Sequence, residues 1–188
     1  GWGADGKDLA DLARPYAMRF PGMALFVPNG PDPCKMNPAG REWFDIDDRV
    51  NGPDYAAPVI QTAITALLTE LRRSGSALTL AGFSQGGMMS LHCGLRINTA
   101  PAAIVSFSGA LLRHDDLSAS ATTPYPPVQL VHGSDDQVVP CALMHEAARI
   151  LSPLVVEVET VERPGLAHGI DPDGLTASIN FLAAHITD

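Results

Sequence analysis

"LAGFSQGGMMSLH" (residues 80–92) places one serine between two glycines, where the sequence pattern changes abruptly. The apolar run 77–81 predicts a short buried strand, and residues 88–95 predict a helix. Between them, residues 82–86 fit G-x-S-x-G, a turn in which a strained backbone exposes the hydroxyl of Ser84 above a sheet. An ordinary glycine-rich turn fits five residues equally well, so this interpretation depends on partners elsewhere in the chain.

Two later loops supply an acid and a histidine. An apolar strand predicted at 128–131 runs into a loop with Asp135 and Asp136, and a strand predicted at 154–160 precedes a glycine-punctuated loop with His168. The order serine, acid, histidine, each after a strand, is the order used in α/β-hydrolases. Three residue types that acyl transfer requires therefore fall at three strand ends, a conjunction much rarer by chance than any one motif.

The chemistry of each group suggests its role. A serine hydroxyl is a weak nucleophile until a base takes its proton, and imidazole has a suitable pKa, while a carboxylate holds the correct imidazole tautomer. His168 is the candidate base because, of six histidines, only it lies in a glycine-flanked loop after the last strand. His132 is expected to order the acid loop. The other four are interpreted as satisfied or solvated: His92, His114, His145 and His185.

The acid is ambiguous from the residues alone, because Asp135 and Asp136 are adjacent and only one is expected to face His168. The whole chain, however, resembles the phospholipase/carboxylesterase family of α/β-hydrolases, which includes acyl-protein thioesterases and small bacterial carboxylesterases. The matching pieces are "GWGADGKDL", "PNGPDPCKMNPAGREWFDID", "LAGFSQGGMMSLH", "VHGSDDQVVP" and "GLAHGI". The resemblance implies that Asp136, in D-x-V-V-P, is the catalytic acid, with Ser84 as nucleophile and His168 as base.

Acyl transfer also requires donors for an oxyanion. The main-chain N–H of Gln85, which follows the serine, is the first expected donor. By resemblance to the family's H-G-x-G segment, the second is the N–H of Trp2; the alternative is that Trp2 is merely an exposed terminal tryptophan. Loss of one such donor typically costs about 3–4 kcal/mol of transition-state stabilisation.

Strands that alternate with helices predict one α/β-hydrolase domain over residues 1–188, with a mostly parallel sheet, helices on both faces and no large cap domain. The resemblance implies a further strand between the strands predicted at 24–27 and 77–82. We therefore expect the N terminus to be incomplete relative to the family, with roughly 20 or more residues upstream that include this strand. Without such an upstream strand, the strands predicted at 24–27 and 77–82 would pair directly, or a neighbouring molecule would donate the strand between them.

The long connection 29–53 contains Trp43 and Phe44 among polar residues, and loops of this length are usually functional. Two interpretations have equal weight: these aromatics line an acyl pocket, or they anchor the loop to the body. Without a cap domain, the site is expected to be shallow and open.

Composition excludes several function classes. Twelve basic and 21 acidic residues give a net charge of −9, which disfavours nucleic acid and anionic membranes as partners. Three widely spaced cysteines without a C-x-x-C pair argue against disulfides and a zinc site. No apolar run approaches the roughly 20 residues of a membrane span, so stable membrane insertion is not expected. We predict a cytoplasmic protein with no metal or organic cofactor.

Together these features predict a serine carboxylesterase that hydrolyses short- to medium-chain acyl esters through an acyl-enzyme intermediate. The expected partner is a small-molecule acyl ester or thioester, and a homodimer is left open. Acyl-protein thioesterase or lysophospholipase activity is the alternative, because both use the same machinery. The alternative from another class is a non-catalytic binding protein of the hydrolase fold.

Overall fold

A four-stranded parallel sheet with flanking helices forms the centre of the computed structural model, which describes residues 1–98, 100–118 and 125–186. A 3₁₀ helix at Gly6–Leu12 comes first. The other elements, in chain order, are α1 (Ala13–Arg19), β1 (Asp32–Pro33), β2 (Arg41–Glu42), α2 (Gly52–Leu71), a second 3₁₀ helix (Gly75–Ala77), β3 (Thr79–Phe83), α3 (Gln85–Gly94), β4 (Ala103–Phe107), β5 (Val128–Gly133), α4 (Ala142–Leu151), β6 (Val158–Arg163) and α5 (Pro172–His185). The main sheet has the strand order β3-β4-β5-β6, and β1 pairs with β2 in a separate antiparallel ladder.

Successive residues of the central strands pack against opposite faces of the sheet, as the period of a β-strand requires. Ile104 and Leu130 belong to a buried cluster with residues of α3 and α4. Val105 and Val131, one position further along each strand, belong to a second cluster with residues of α1 and α5. Burial on both faces explains why apolar residues occupy successive positions of β4 and β5. The predicted α/β-hydrolase architecture, with helices on both faces of a parallel sheet, is confirmed.

The predicted strand at 24–27 is wrong. This segment has no secondary structure, and Leu25 and Phe26 are 45% and 54% exposed. A strand requires a neighbouring main chain to pair with, and within the described ranges β3 pairs only with β4, so direct pairing of 24–27 with 77–82 does not occur. The last strand also begins later than predicted, at Val158, because only from there does the chain form a continuous ladder with β5.

The first residues of the chain lie beside the carboxyl end of β3. A Cβ atom placed on Gly1 would lie 3.4 Å from the ring of Phe83. The N–H of Gly3 donates to the carbonyl of Arg41, and the N–H of Arg41 donates to the carbonyl of Ala4, each at 2.9 Å. These bonds attach the N-terminal segment to β2. No helix in the described part of the chain is long and apolar enough to span a membrane.

Candidate active site

Ser84 lies in the sharp turn between β3 and α3, as the G-x-S-x-G pattern predicted. Its backbone has φ 54° and ψ −119°, a left-handed conformation that is costly for a residue with a side chain. The N–H of Ser84 donates to the carbonyl of Phe107, and its carbonyl accepts from the N–H of Met88, which fixes the turn from both sides. Strained backbone of this kind persists only where the surrounding structure holds it, and it is found preferentially at functional sites.

Only one of the two glycines in G-x-S-x-G is sterically required. A Cβ atom on Gly82 would lie 2.2 Å from the carbonyl oxygen of Gly86, because strand and helix approach closely there. A Cβ atom on Gly86 would meet nothing within 4 Å, whereas one on Gly87 would lie 2.7 Å from Oγ of Ser106. The close packing of α3 on the sheet therefore depends on Gly82 and Gly87.

Asp136 and His168 are joined by a short hydrogen bond. The Nδ1 atom of His168 lies 2.7 Å from Oδ2 of Asp136, whose side chain is fully buried. The other carboxylate oxygen, Oδ1, accepts from the main-chain N–H groups of Val138 and Val139, each at 2.9 Å. The adjacent Asp135 instead accepts a bond from the hydroxyl of Ser134. Of the two candidate acids, only Asp136 contacts the candidate base.

These contacts lower the pKa of Asp136. Burial alone would raise the pKa of this carboxyl, but the hydrogen bonds from His168, Val139 and Val138 together outweigh it. His132 supports the same loop: its Nε2–H donates to the carbonyl of Val139 at 2.7 Å, and this nitrogen lies 3.3 Å from Oδ2 of Asp136. The carboxylate is thus held ionised and in one orientation, which is what a tautomer-fixing group requires.

The loop with His168 lies against the end of β3. The imidazole ring lies 4.7 Å, centroid to centroid, from the ring of Phe83, the residue that precedes Ser84. A Cβ atom on Gly133 would lie 2.1 Å from the carbonyl oxygen of Leu166, so a glycine there lets the histidine loop approach the end of β5. The imidazole remains 18% exposed and accessible to a substrate. Ser84, Asp136 and His168 therefore follow β3, β5 and β6 at the same edge of the sheet.

Gln85 has a side-chain role that the sequence did not indicate. The side chain is fully buried; its Nε2 donates to the carbonyl of Phe44 at 2.7 Å, and its Oε1 accepts from the N–H of Trp43 at 2.9 Å. The amide thus satisfies two main-chain groups of the long connection. The sequence shows only a glutamine beside the serine, and that position predicts a role for its main-chain N–H alone.

Trp2 is held by a buried carboxylate. Its indole Nε1–H donates to Oε2 of Glu42 at 2.7 Å, and Glu42 is 4% exposed. The N-terminal segment is also tied to β2 through its backbone. Trp2 is therefore hydrogen-bonded through its indole although it is 36% exposed, and Glu42 was not among the predicted site residues.

Phe44 anchors the long connection. It is almost fully buried in a cluster with Ala56, Met88 and Met89, and a Cβ atom on Gly52 would lie 2.7 Å from its ring. The partly buried Trp43 packs against the same cluster. Phe44 also borders a surface cavity of about 500 Å³, whose lining includes several carboxylates. These contacts favour loop anchoring over an acyl-pocket wall for Phe44, because its ring is occupied by the core.

Comparison with known proteins gives a consistent result. The profile of the phospholipase/carboxylesterase family matches residues 1–186. The chain is 33% identical to acyl-protein thioesterase 1 of Gibberella zeae over 181 residues, covering 84% of this chain and 75% of that protein. It is 25% identical to the esterase YpfH of Escherichia coli over 181 residues, covering 93% of this chain and 75% of that protein.

Solved structures agree with these sequence matches. The crystal structure of esterase PE8 superposes with a TM-score of 0.92 at 34% identity, over 98% of this chain and 89% of that chain. SOBER1 of Arabidopsis thaliana has the same fold, with a TM-score of 0.86 at 20% identity over 100% of this chain and 96% of that chain. The chain therefore belongs to the phospholipase/carboxylesterase family and is a hydrolase of the α/β-hydrolase fold.

Proposed function

We propose that this protein is a serine carboxylesterase, with Ser84 as nucleophile, His168 as general base and Asp136 as the acid that orients the base. The single observation that supports this most strongly is the 2.7 Å bond between His168 and Asp136 on loops beside the strained turn of Ser84. A nucleophile, a base and an orienting carboxylate at one sheet edge are the elements that acyl transfer requires.

In the acylation step, Oγ of Ser84 attacks the acyl carbonyl and its proton passes to Nε2 of His168. The Nδ1–H of His168 donates to Asp136, so Nε2 is free to accept that proton. The main-chain N–H groups of Gln85 and Trp2 stabilise the oxyanion. Collapse of the tetrahedral intermediate breaks the bond to the leaving alcohol, which takes the proton from His168 and departs.

In the deacylation step, His168 removes a proton from water, and the hydroxide formed attacks the acyl-enzyme. The second tetrahedral intermediate releases the carboxylic acid and returns the proton to Ser84. The chemistry requires no metal or organic cofactor, because the imidazole performs both proton transfers.

For the substrate, we propose acyl esters of short to medium chain length. In the described ranges, no inserted cap domain follows any of the strands. Each methylene buried contributes only about 0.8 kcal/mol, so an open site gains little specificity after the first few carbons. Thioester hydrolysis is the second candidate, supported by the 33% identity to an acyl-protein thioesterase.

A substrate panel separates these candidates. We would measure kcat/KM for p-nitrophenyl butyrate, butyryl-CoA, palmitoyl-CoA and a lysophospholipid, with Ser84→Ala as the matched inactive control. We expect p-nitrophenyl butyrate to be the best of the four and Ser84→Ala to be inactive on all. A higher kcat/KM for palmitoyl-CoA would support the thioesterase, and hydrolysis of none would support a non-catalytic binding protein.

A further inference from the structure

Three metal-ligating side chains outside the proposed triad converge where α4 packs against β6. They are Cys141, His145 and Glu162, and one ligand atom from each lies within 4.8 Å of the other two. Cys141 and His145 are four residues apart at the start of α4, so they lie on one face of the helix. Glu162 projects from β6, and its Oε2 lies 3.0 Å from Nε2 of His145.

We propose that Cys141, His145 and Glu162 bind one Zn²⁺ ion at this junction. A thiolate and an imidazole are the donors that zinc prefers, whereas Ca²⁺ and Mg²⁺ take oxygen ligands. Three protein ligands leave the fourth tetrahedral position for water or an exogenous ligand. The site uses none of the triad residues and does not rest on the proposed esterase activity.

The geometry requires only local adjustment. Zinc binds sulfur at about 2.3 Å and nitrogen or oxygen at about 2.0–2.2 Å, so the ligand atoms of a tetrahedral site lie roughly 3.3–3.6 Å apart. His145 and Glu162 must separate slightly from their present 3.0 Å contact. Their side chains are about half exposed and can rotate to do so, and this exposure also gives an ion access from solvent. The ion would replace the proton that Nε2 of His145 now donates to Glu162.

The cluster differs from other pairs in the molecule. His185 and Glu157 form a similar histidine–carboxylate pair, with 3.5 Å between Nε2 and Oε2. The pair of His145 and Glu162 differs because the thiol of Cys141 lies beside it and adds a third ligand type. The other two cysteines, Cys34 and Cys93, are buried. The spacing of the cysteines, with no C-x-x-C pair, gives no indication of this cluster in the sequence. Glu162 joins Cys141 and His145 only through the packing of β6 against α4.

Activity alone would be an ambiguous readout. Cys141 directly follows Pro140 and Val139, and the N–H of Val139 binds the carboxylate of Asp136. A substitution at Cys141 could alter turnover through that loop without any metal. The test therefore measures binding spectroscopically, with Co²⁺ as a probe that reports thiolate coordination directly.

The experiment titrates the untagged, chelator-treated protein with Co²⁺ under anaerobic, reducing conditions free of competing thiols. We expect one Co²⁺ per chain, a thiolate-to-cobalt charge-transfer band in the near ultraviolet, and displacement by one equivalent of Zn²⁺ but not by millimolar Mg²⁺. Cys141→Ser should abolish the band, and His145→Gln and Glu162→Gln should each weaken binding at least tenfold. The matched control His185→Gln should bind as the wild type does, and circular dichroism checks that each variant is folded.

Absence of the band in the wild-type protein would overturn the proposal. So would a band that survives in Cys141→Ser, because the thiolate would then come from another cysteine. Equal weakening by His185→Gln and His145→Gln would also overturn it, since that result indicates nonspecific surface binding.

Discussion

The indole N–H of Trp2 donates a 2.7 Å hydrogen bond to the buried carboxylate of Glu42. Glu42 belongs to the long connection 29–53, and the next two residues, Trp43 and Phe44, are held by Gln85. The side chain of Gln85 forms hydrogen bonds with the main chain of both. The two residues proposed as oxyanion donors, Trp2 and Gln85, are therefore linked through one short segment. The order of this segment is expected to determine how well the two N–H groups are positioned for the reaction.

Glu42→Ala should lower kcat roughly tenfold, about 1.4 kcal/mol of transition-state stabilisation, with little change in KM. The substitution removes the acceptor that holds Trp2 but not the N–H itself, so the loss should be smaller than the 10²–10³ typical of a deleted donor. Steady-state kinetics on p-nitrophenyl butyrate measure it. Asp45→Ala, on the same connection but paired with the exposed Lys35, is the control and should leave kcat unchanged. Equal losses in the two variants would contradict this role for Glu42.

Gln85→Ala should reduce the free energy of unfolding by about 1–3 kcal/mol, because it leaves buried main-chain groups of Trp43 and Phe44 without partners. Urea unfolding followed by far-ultraviolet circular dichroism measures the change. Gln61→Ala, on the partly exposed side of α2, is a chemically matched control expected to change stability by less than about 0.5 kcal/mol. A Gln85→Ala protein as stable as the control would show that the hydrogen bonds of the Gln85 side chain contribute nothing to the free energy of unfolding.

Asp136→Asn should lower kcat by about 10⁴, the loss seen when the carboxylate of a serine-protease triad is replaced in the same way. Asp135→Asn should retain most of the activity, since that side chain bonds to Ser134 and not to the imidazole. The two variants control for each other, because each removes one charge from the same loop. Comparable losses, or a larger loss at Asp135, would mean that the acid is misassigned.

The lowered pKa of Asp136 also predicts a pH-dependent contribution to stability. A carboxyl whose pKa is depressed on folding stabilises the native state above its ordinary value of 3.8, and this contribution is lost as the pH falls through the lowered pKa. The difference in unfolding free energy between the wild type and Asp136→Asn should therefore be largest near neutral pH. It should shrink as the pH falls below 3.8. A difference that stays constant or grows in acid would contradict the depressed pKa.

Esters of increasing acyl length should show a plateau in kcat/KM. We expect a rise from acetate to about butyrate or hexanoate and then little further gain, because an open site buries few additional methylenes at about 0.8 kcal/mol each. A series of p-nitrophenyl esters from two to sixteen carbons measures this. A kcat/KM that still rises steeply at palmitate would favour a long-chain thioesterase.

Local patterns predicted the architecture and the turn of Ser84, because the periodicity of strands and helices and the placement of glycines depend on residues that are close together in the sequence. They could not predict the buried bonds of Gln85 and Glu42 or the convergence of Cys141 with Glu162, since these contacts join distant parts of the chain. The strand predicted at 24–27 failed for a related reason. Its apolar residues suit a strand, but strand formation depends on a partner that the local sequence does not reveal.

The central claim is that Ser84 is a nucleophile activated by His168, and fluorophosphonate labelling tests it most directly. The native protein would be incubated with a fluorophosphonate probe, digested, and analysed by mass spectrometry, alongside Ser84→Ala and His168→Gln. We expect one label per chain on the peptide that contains Ser84, none on that peptide in Ser84→Ala, and labelling slowed by several orders of magnitude in His168→Gln. No labelling of the native protein, a label on another residue, or an unchanged rate in His168→Gln would contradict it.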